Sequence, residues 1–177
     1  MKYLLFALLP LAAALAEEPA VKEQPLAAIK ASCAMPEGWF FSESTEDGVS
    51  VYQISKEKPA DEGDAPGVGL ILSATPKVTE RAGMKPSEYA AELLSAAQEE
   101  SGSKELVKTD EGSLKCFRSE YTIEGDGGKI LVITIAKAND ETGTLYFFTW
   151  QNPEADEATV GPVREKFLAS FKLDPAF

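Results

Sequence analysis

Apolar and polar positions alternate with a period of two over residues 49–54, 114–123, 129–138 and 144–151, and residues 68–74 form a nearly unbroken apolar run around Leu70, Ile71 and Leu72. Each segment predicts a β-strand, as does 105–109. In 129–138, Ile130, Val132 and Ala136 point one way and Leu131, Ile133 and Ile135 the other; in 144–151, Leu145 and Phe147 oppose Tyr146, Phe148 and Trp150. Strands apolar on both sides have to be covered on both sides. In 114–123, Phe117, Tyr121 and Ile123 alternate with Arg118 and Glu120, which predicts a more exposed or edge position. Short turns at Glu111-Gly112, 124–128 and 139–143 separate the last four strands. Parallel neighbours need longer crossovers, so these strands form an antiparallel meander.

The covering layers are predicted from helical spacing. Pro86 suits a first turn, Tyr89, Ala90, Leu93, Leu94, Ala96 and Ala97 recur at that spacing, and Gly102 terminates the stretch, which gives a helix over 86–98. Val160, Val163, Phe167 and Phe171 mark a C-terminal helix in which Pro162 is tolerable only in the first turn. The expected fold class is α+β, a central antiparallel sheet (meander) sandwiched between helices. Trp39 and the aromatics of 144–151 are expected to pack the core rather than line a pocket.

At the N-terminus, Lys2 precedes an apolar run over 3–15, and Ala14-Leu15-Ala16 supplies a small-x-small cleavage pattern. Residues 1–16 therefore read as an export signal peptide, and the mature chain as periplasmic or extracellular. The run falls short of the ~20 residues that span a bilayer, and no later stretch reaches that length, so no transmembrane anchor is expected in the mature chain. A lipid-anchored protein would carry a cysteine directly after the apolar run, whereas the first is Cys33. Residues 17–32 carry charges, Pro19 and Pro25, and predict a flexible leader with a short helix over 26–31. Residues 33–177 then form a single domain.

The formal charge is −12, and loss of Lys2 with the signal takes it one unit further. Nucleic acid and anionic lipid are excluded as partners, because both are bound through Lys and Arg. A protein with a basic surface, or a divalent cation, fits the charge. Cys33 and Cys116 form an even pair in an oxidising compartment and are a candidate disulfide, two separate buried thiols being the alternative.

No histidine occurs in the chain. That removes histidine-dependent nucleophiles, histidine-ligated zinc and the common neutral-pH general base. The cysteines are not in a Cys-x-x-Cys pair, and no dinucleotide or phosphate-loop motif is present. Gly125, Gly127 and Gly128 precede a predicted strand, so a hairpin turn explains them. Asp61, Glu62 and Asp64 sit in a proline- and glycine-rich loop over 56–67, at spacings unlike those of a calcium-binding loop. No catalytic, cofactor or metal residue is expected.

The order of elements resembles the PsbP-like fold family, which includes the extrinsic photosystem II subunit, a nuclear Ran-binding import factor and exported bacterial proteins. The resemblance rests on Pro36-Glu37-Gly38-Trp39, Pro86-Ser87-Glu88-Tyr89, the four-strand meander and Phe167-Leu168-Ala169-Ser170-Phe171, and spans 35–173. It implies a sheet between helices and a non-enzymatic role in docking to a larger complex. Without histidine, the metal positions proposed for photosynthetic members do not carry over, and the export signal argues against a nuclear role. The expected function is an exported accessory or interaction module of the cell envelope, with loops 56–67 and 124–128 as contact sites. The alternative is a small-ligand or divalent-cation-binding protein, and less favoured still a carboxylate-dependent hydrolase.

Overall fold

The computed structural model describes residues 22–58, 65–101, 106–174 and 176–177. The signal segment and the start of the leader lie outside this range, as do Asp61, Glu62 and Asp64. Seven strands form the central sheet: β3 (Phe40–Glu46), β4 (Val49–Ser55), β5 (Gly69–Thr75), β6 (Val107–Glu111), β7 (Leu114–Gly125), β8 (Gly128–Asn139) and β9 (Thr144–Pro153). Their order is β3-β4-β5-β9-β8-β7-β6, with every pairing antiparallel. The predicted meander is thus β6 to β9, and β5 joins its β9 edge to a second meander, β3 to β5. A separate hairpin of β1 (Lys22–Leu26) and β2 (Ala31–Met35) precedes the sheet.

Directly paired residues share a face. Tyr52, Leu72, Phe148 and Ile135 align across four strands on one face, where Tyr146 and Trp150 also lie. Over this face pack Leu26, Ile29 and Cys33 from the hairpin, and Val160 and Phe167 from helix α3 (Glu157–Ala169). Phe147, Ala136 and Phe117 align on the other face. Ala90 and Leu94 of α2 (Pro86–Ser101) cover it, with Val78 from the short helix α1 (Val78–Ala82) beside them. The layers are therefore helix, sheet, then helix and hairpin. Asp140, in the turn after β8, accepts from the Ser87 N–H at 2.9 Å, the Ser87 hydroxyl at 2.8 Å and Lys115 Nζ at 2.8 Å. It thereby ties the start of α2 to the sheet.

The expected flexible leader is corrected from Lys22 onward. Leu26 and Ile29 are fully buried, and their burial outweighs the polar residues around them. The expected short helix is a 3-10 turn, Ala27–Ile29, that closes this hairpin, with Lys30 in the left-handed region at φ 49°. Ser32 and Lys172 exchange backbone hydrogen bonds at 3.1 and 2.9 Å, pinning the hairpin to the C-terminal segment. Strand β3 and helix α1 were not expected. β3 is Phe-Phe-Ser-Glu-Ser-Thr-Glu, exposed along most of its length, and carries little apolar alternation. β7 has β6 outside it only over 114–118, so the edge character expected of it holds for its second half.

The predicted stripes are narrower than drawn. Leu93 and Val163 face solvent, at 40% and 42% exposed, and Phe171 lies beyond the end of α3. Pro162 stands in the second turn of α3, because the helix starts at Glu157. Ala158 and Pro162 are both exposed, so water can take the carbonyl that the missing N–H leaves free.

Candidate functional site

The register places four connections at one end of the sheet. Phe40, Ser55, Gly69, Gln151, Val132 and Tyr121 form one row across six strands. Just beyond this row lie the start of β3, the described ends of the 56–67 loop, the β7–β8 turn and the passage from β9 to α3. The 124–128 turn and the described ends of the 56–67 loop, both expected from sequence to make contacts, therefore share one end of the sheet with the aromatic segment at Trp39. The 56–67 loop is fastened at its described end, where the Gln151 side-chain amide donates to the Pro66 carbonyl and the Val68 N–H donates to Glu57 at 3.2 Å. The glycines at 125 and 128 are a hairpin pair, with Gly128 at φ 114°, and not a phosphate loop.

An open groove of about 590 Å³ occupies the β3 corner of this end, lined by Lys22, Gln24, Met35, Glu37 and the aromatics Trp39, Phe40 and Phe41. Its geometry follows from one turn. Trp39 N–H donates to the Pro36 carbonyl at 3.3 Å, and Gly38 takes φ 78°, a backbone state open to glycine at little steric cost. The chain thus swings from the hairpin into the sheet with Trp39 at the corner. Trp39 stacks on Trp150 at 5.8 Å and Phe167 at 6.1 Å, so one side of its ring system plugs the core as expected. It also lines the groove. Phe41 packs on Tyr52 at 6.2 Å, whereas Phe40 remains 43% exposed. From the groove, β3 runs on as an edge of the sheet, with no strand outside it among the described residues, bearing Glu43 and Glu46, with Asp47 in the turn beyond. Sequence reasoning missed this edge; the signal it offered was two phenylalanines placed directly after a tryptophan.

Cys33 and Cys116 are free and buried, which corrects the candidate disulfide. Cys33 lies in the main core under α3. Cys116 is on the same sheet face, but in a row whose neighbours are Thr109 and Lys137. Tyr146 of β9 lies two strands, or about 10 Å, nearer the centre of that core. Burial pushes both thiols up to about 11, so neither is a reactive thiolate near neutral pH. Among the described residues, no group of three or more Cys, Asp or Glu side chains is placed to hold a metal ion. No helix among them is long and apolar enough to cross a membrane.

A second, smaller cleft of about 230 Å³ lies between α3 and the β6 side of the sheet, lined by Thr109, Glu111, Arg118, Ile135, Lys137, Phe148, Glu165, Leu168 and Ala169. Elsewhere on α3, Arg164, 5% exposed, donates to Glu157 at 2.8 and 2.9 Å. Glu157 in turn accepts from Asn152 at 3.4 Å, and Asn152 accepts from the Trp150 indole at 2.7 Å. This chain of bonds fixes the helix to the sheet beneath the groove. The Arg164 guanidinium holds the Glu157 carboxyl below the usual carboxylate range.

No protein-family model and no curated protein sequence matches the chain. Among solved structures it is similar to cyanobacterial PsbP (CyanoP) from Synechocystis, with a TM-score of 0.57 at 14% identity over 90% of this chain and 95% of that one. A Bacteroides thetaiotaomicron protein gives a TM-score of 0.47 at 13% identity, covering 85% of this chain and 47% of its own length. The Saccharomyces cerevisiae Ran-binding protein Mog1p gives 0.46 at 13% identity, covering 88% of this chain and 96% of its own. The first of these establishes that the chain has the PsbP-like fold expected from its order of elements.

Proposed function

We propose that this chain, with its PsbP-like fold, is an exported, non-enzymatic interaction module of the cell envelope that docks a protein partner bearing a basic surface. One observation carries the reading: the aromatic groove at Trp39, Phe40 and Phe41 opens directly onto the acidic edge of β3, which pairs with no outer strand among the described residues. An exposed phenylalanine beside a half-buried tryptophan supplies an apolar anchor, and aromatics of this kind dominate interface energetics. Glu43, Glu46 and Asp47 select for positive charge, and the free backbone groups of β3 can pair with an added strand. Negative side chains on an edge strand also keep copies of the chain from pairing with each other. Export is supported by the signal pattern over 1–16.

The test is capture from the native cell envelope with tagged mature protein, comparing wild type with Phe40→Ser at low and physiological salt. The expected result is a basic partner retained by wild type, depleted for the variant, and held less as the Debye length shrinks from ~30 Å at 0.01 M to ~8 Å at 0.15 M. Equal capture by both proteins would overturn the assignment of the groove.

A further inference from the structure

We propose that the cleft between α3 and the β6 side of the sheet is a binding site for a small zwitterion with an apolar side chain, of the class of a free α-amino acid. The cleft lies on the face away from α2 and is separate from the aromatic groove, sharing none of its lining residues. Its floor and wall are apolar: Ile135 and Phe148 from β8 and β9, and Leu168 and Ala169 from α3. Two cations and two anions line the same space. Lys137 donates to Glu111 at 2.6 Å, and Arg118 donates to Glu165 at 3.0 Å and to Glu120 at 2.9 Å.

These pairs are unequal in burial. The Lys137 side chain is 18% exposed and its partner Glu111 55%; Arg118 is 32% exposed and Glu165 52%. The cations thus sit lower in the cleft than the acids, and Glu165 is also held from its own helix by Arg164 at 3.0 Å, which leaves Glu111 as the acid that can turn outward. Register puts the cations on adjacent strands: Arg118 pairs with Ile135, and Lys137, two residues along β8, pairs with Cys116. A ligand carboxylate can bridge the two cations, and its ammonium can take the freed Glu111. Lys137 and Glu111 then each exchange one partner for another, Arg118 keeps Glu120 and Glu165, and no ion is left buried and unpaired. A simple anion has no such balance. It would displace Glu111 without compensating it, in a chain whose formal charge is already −12. A simple amine would leave the deeper cations unmatched. The volume of about 230 Å³ suits a ligand of amino-acid size.

The experiment is an NMR titration of the methyl groups of Ile135 and Leu168 in the mature protein at low salt. The probes are L-leucine, 4-methylpentanoate, which lacks the amino group, and isoamylamine, which lacks the carboxylate. Saturable shifts of both methyls are expected with leucine, and roughly tenfold or weaker binding with either single-charge analogue. Lys137→Gln should weaken leucine binding by a similar factor, while leaving the melting temperature close to wild type because the ion pair is partly exposed. No saturable shift with leucine up to about 50 mM, or equal affinity for leucine and 4-methylpentanoate, would overturn the proposal.

Discussion

At the residue scale, α3 is fixed by the polar chain from Trp150 through Asn152 and Glu157 to Arg164. Trp150 is fully buried, so Asn152→Ala strands its indole N–H and should cost about 1–3 kcal/mol, read as a lower urea midpoint at unchanged slope. Glu157 adds a pH dependence. Its folded pKa is depressed below the ordinary 4.5, so its contribution is complete above that value and is lost as pH falls through the folded pKa. Glu165 is depressed in the same direction, chiefly by its bond with Arg118. Acid unfolding should therefore steepen below about pH 4.5, and Glu157→Gln should flatten that limb. A variant whose stability falls in parallel with wild type would contradict this role. The cysteines make a separate prediction. With both thiols free, alkylation of unreduced protein should add two labels after unfolding and essentially none to the native state, because both are buried. No label after unfolding would restore the disulfide.

At the element scale, Gly69 sits where β5 starts against β4. A Cβ there would press on the Ile54 carbonyl oxygen and lie 2.8 Å from Ser55 Cα. Gly69→Ala should destabilise by about 1–3 kcal/mol through displaced backbone, measured by denaturant melts. How much of the fold was legible follows from where burial is two-sided. Strands β8 and β9 carry apolar residues on both faces, and the meander and its coverage could be read directly. Strand β3 could not, because an exposed edge needs no apolar alternation, and its one-sided pairing is decided by β4. The hairpin β1–β2 was hidden in a segment of prolines and charges whose buried anchors, Leu26, Ile29, Ala31 and Cys33, are few. The candidate site was half legible. The contact loops were named, but their convergence with Trp39 and Phe40 at one end of the sheet depends on strand order, which local pattern does not encode.

At the scale of the whole molecule, the proposed docking surface occupies one end of the sheet. The other end carries the β3–β4, β6–β7 and β8–β9 turns and the α1–α2 connection, with Asp140 tying the last of these turns to α2. Phe40→Ser should lower stability by only about 1 kcal/mol, because the residue is already 43% exposed, while removing an anchor for a partner. A loss of capture by a variant that still melts cooperatively separates docking from folding. The most direct test of that division is site-specific photo-crosslinking in intact cells, with the photoreactive residue placed at Phe40 or at Ser113 in the β6–β7 turn. The account predicts a discrete crosslinked protein from position 40, competed by added salt, and none from position 113. Equal crosslinking from the two ends, or a product from position 113 alone, would contradict the placement of the docking surface at the aromatic groove.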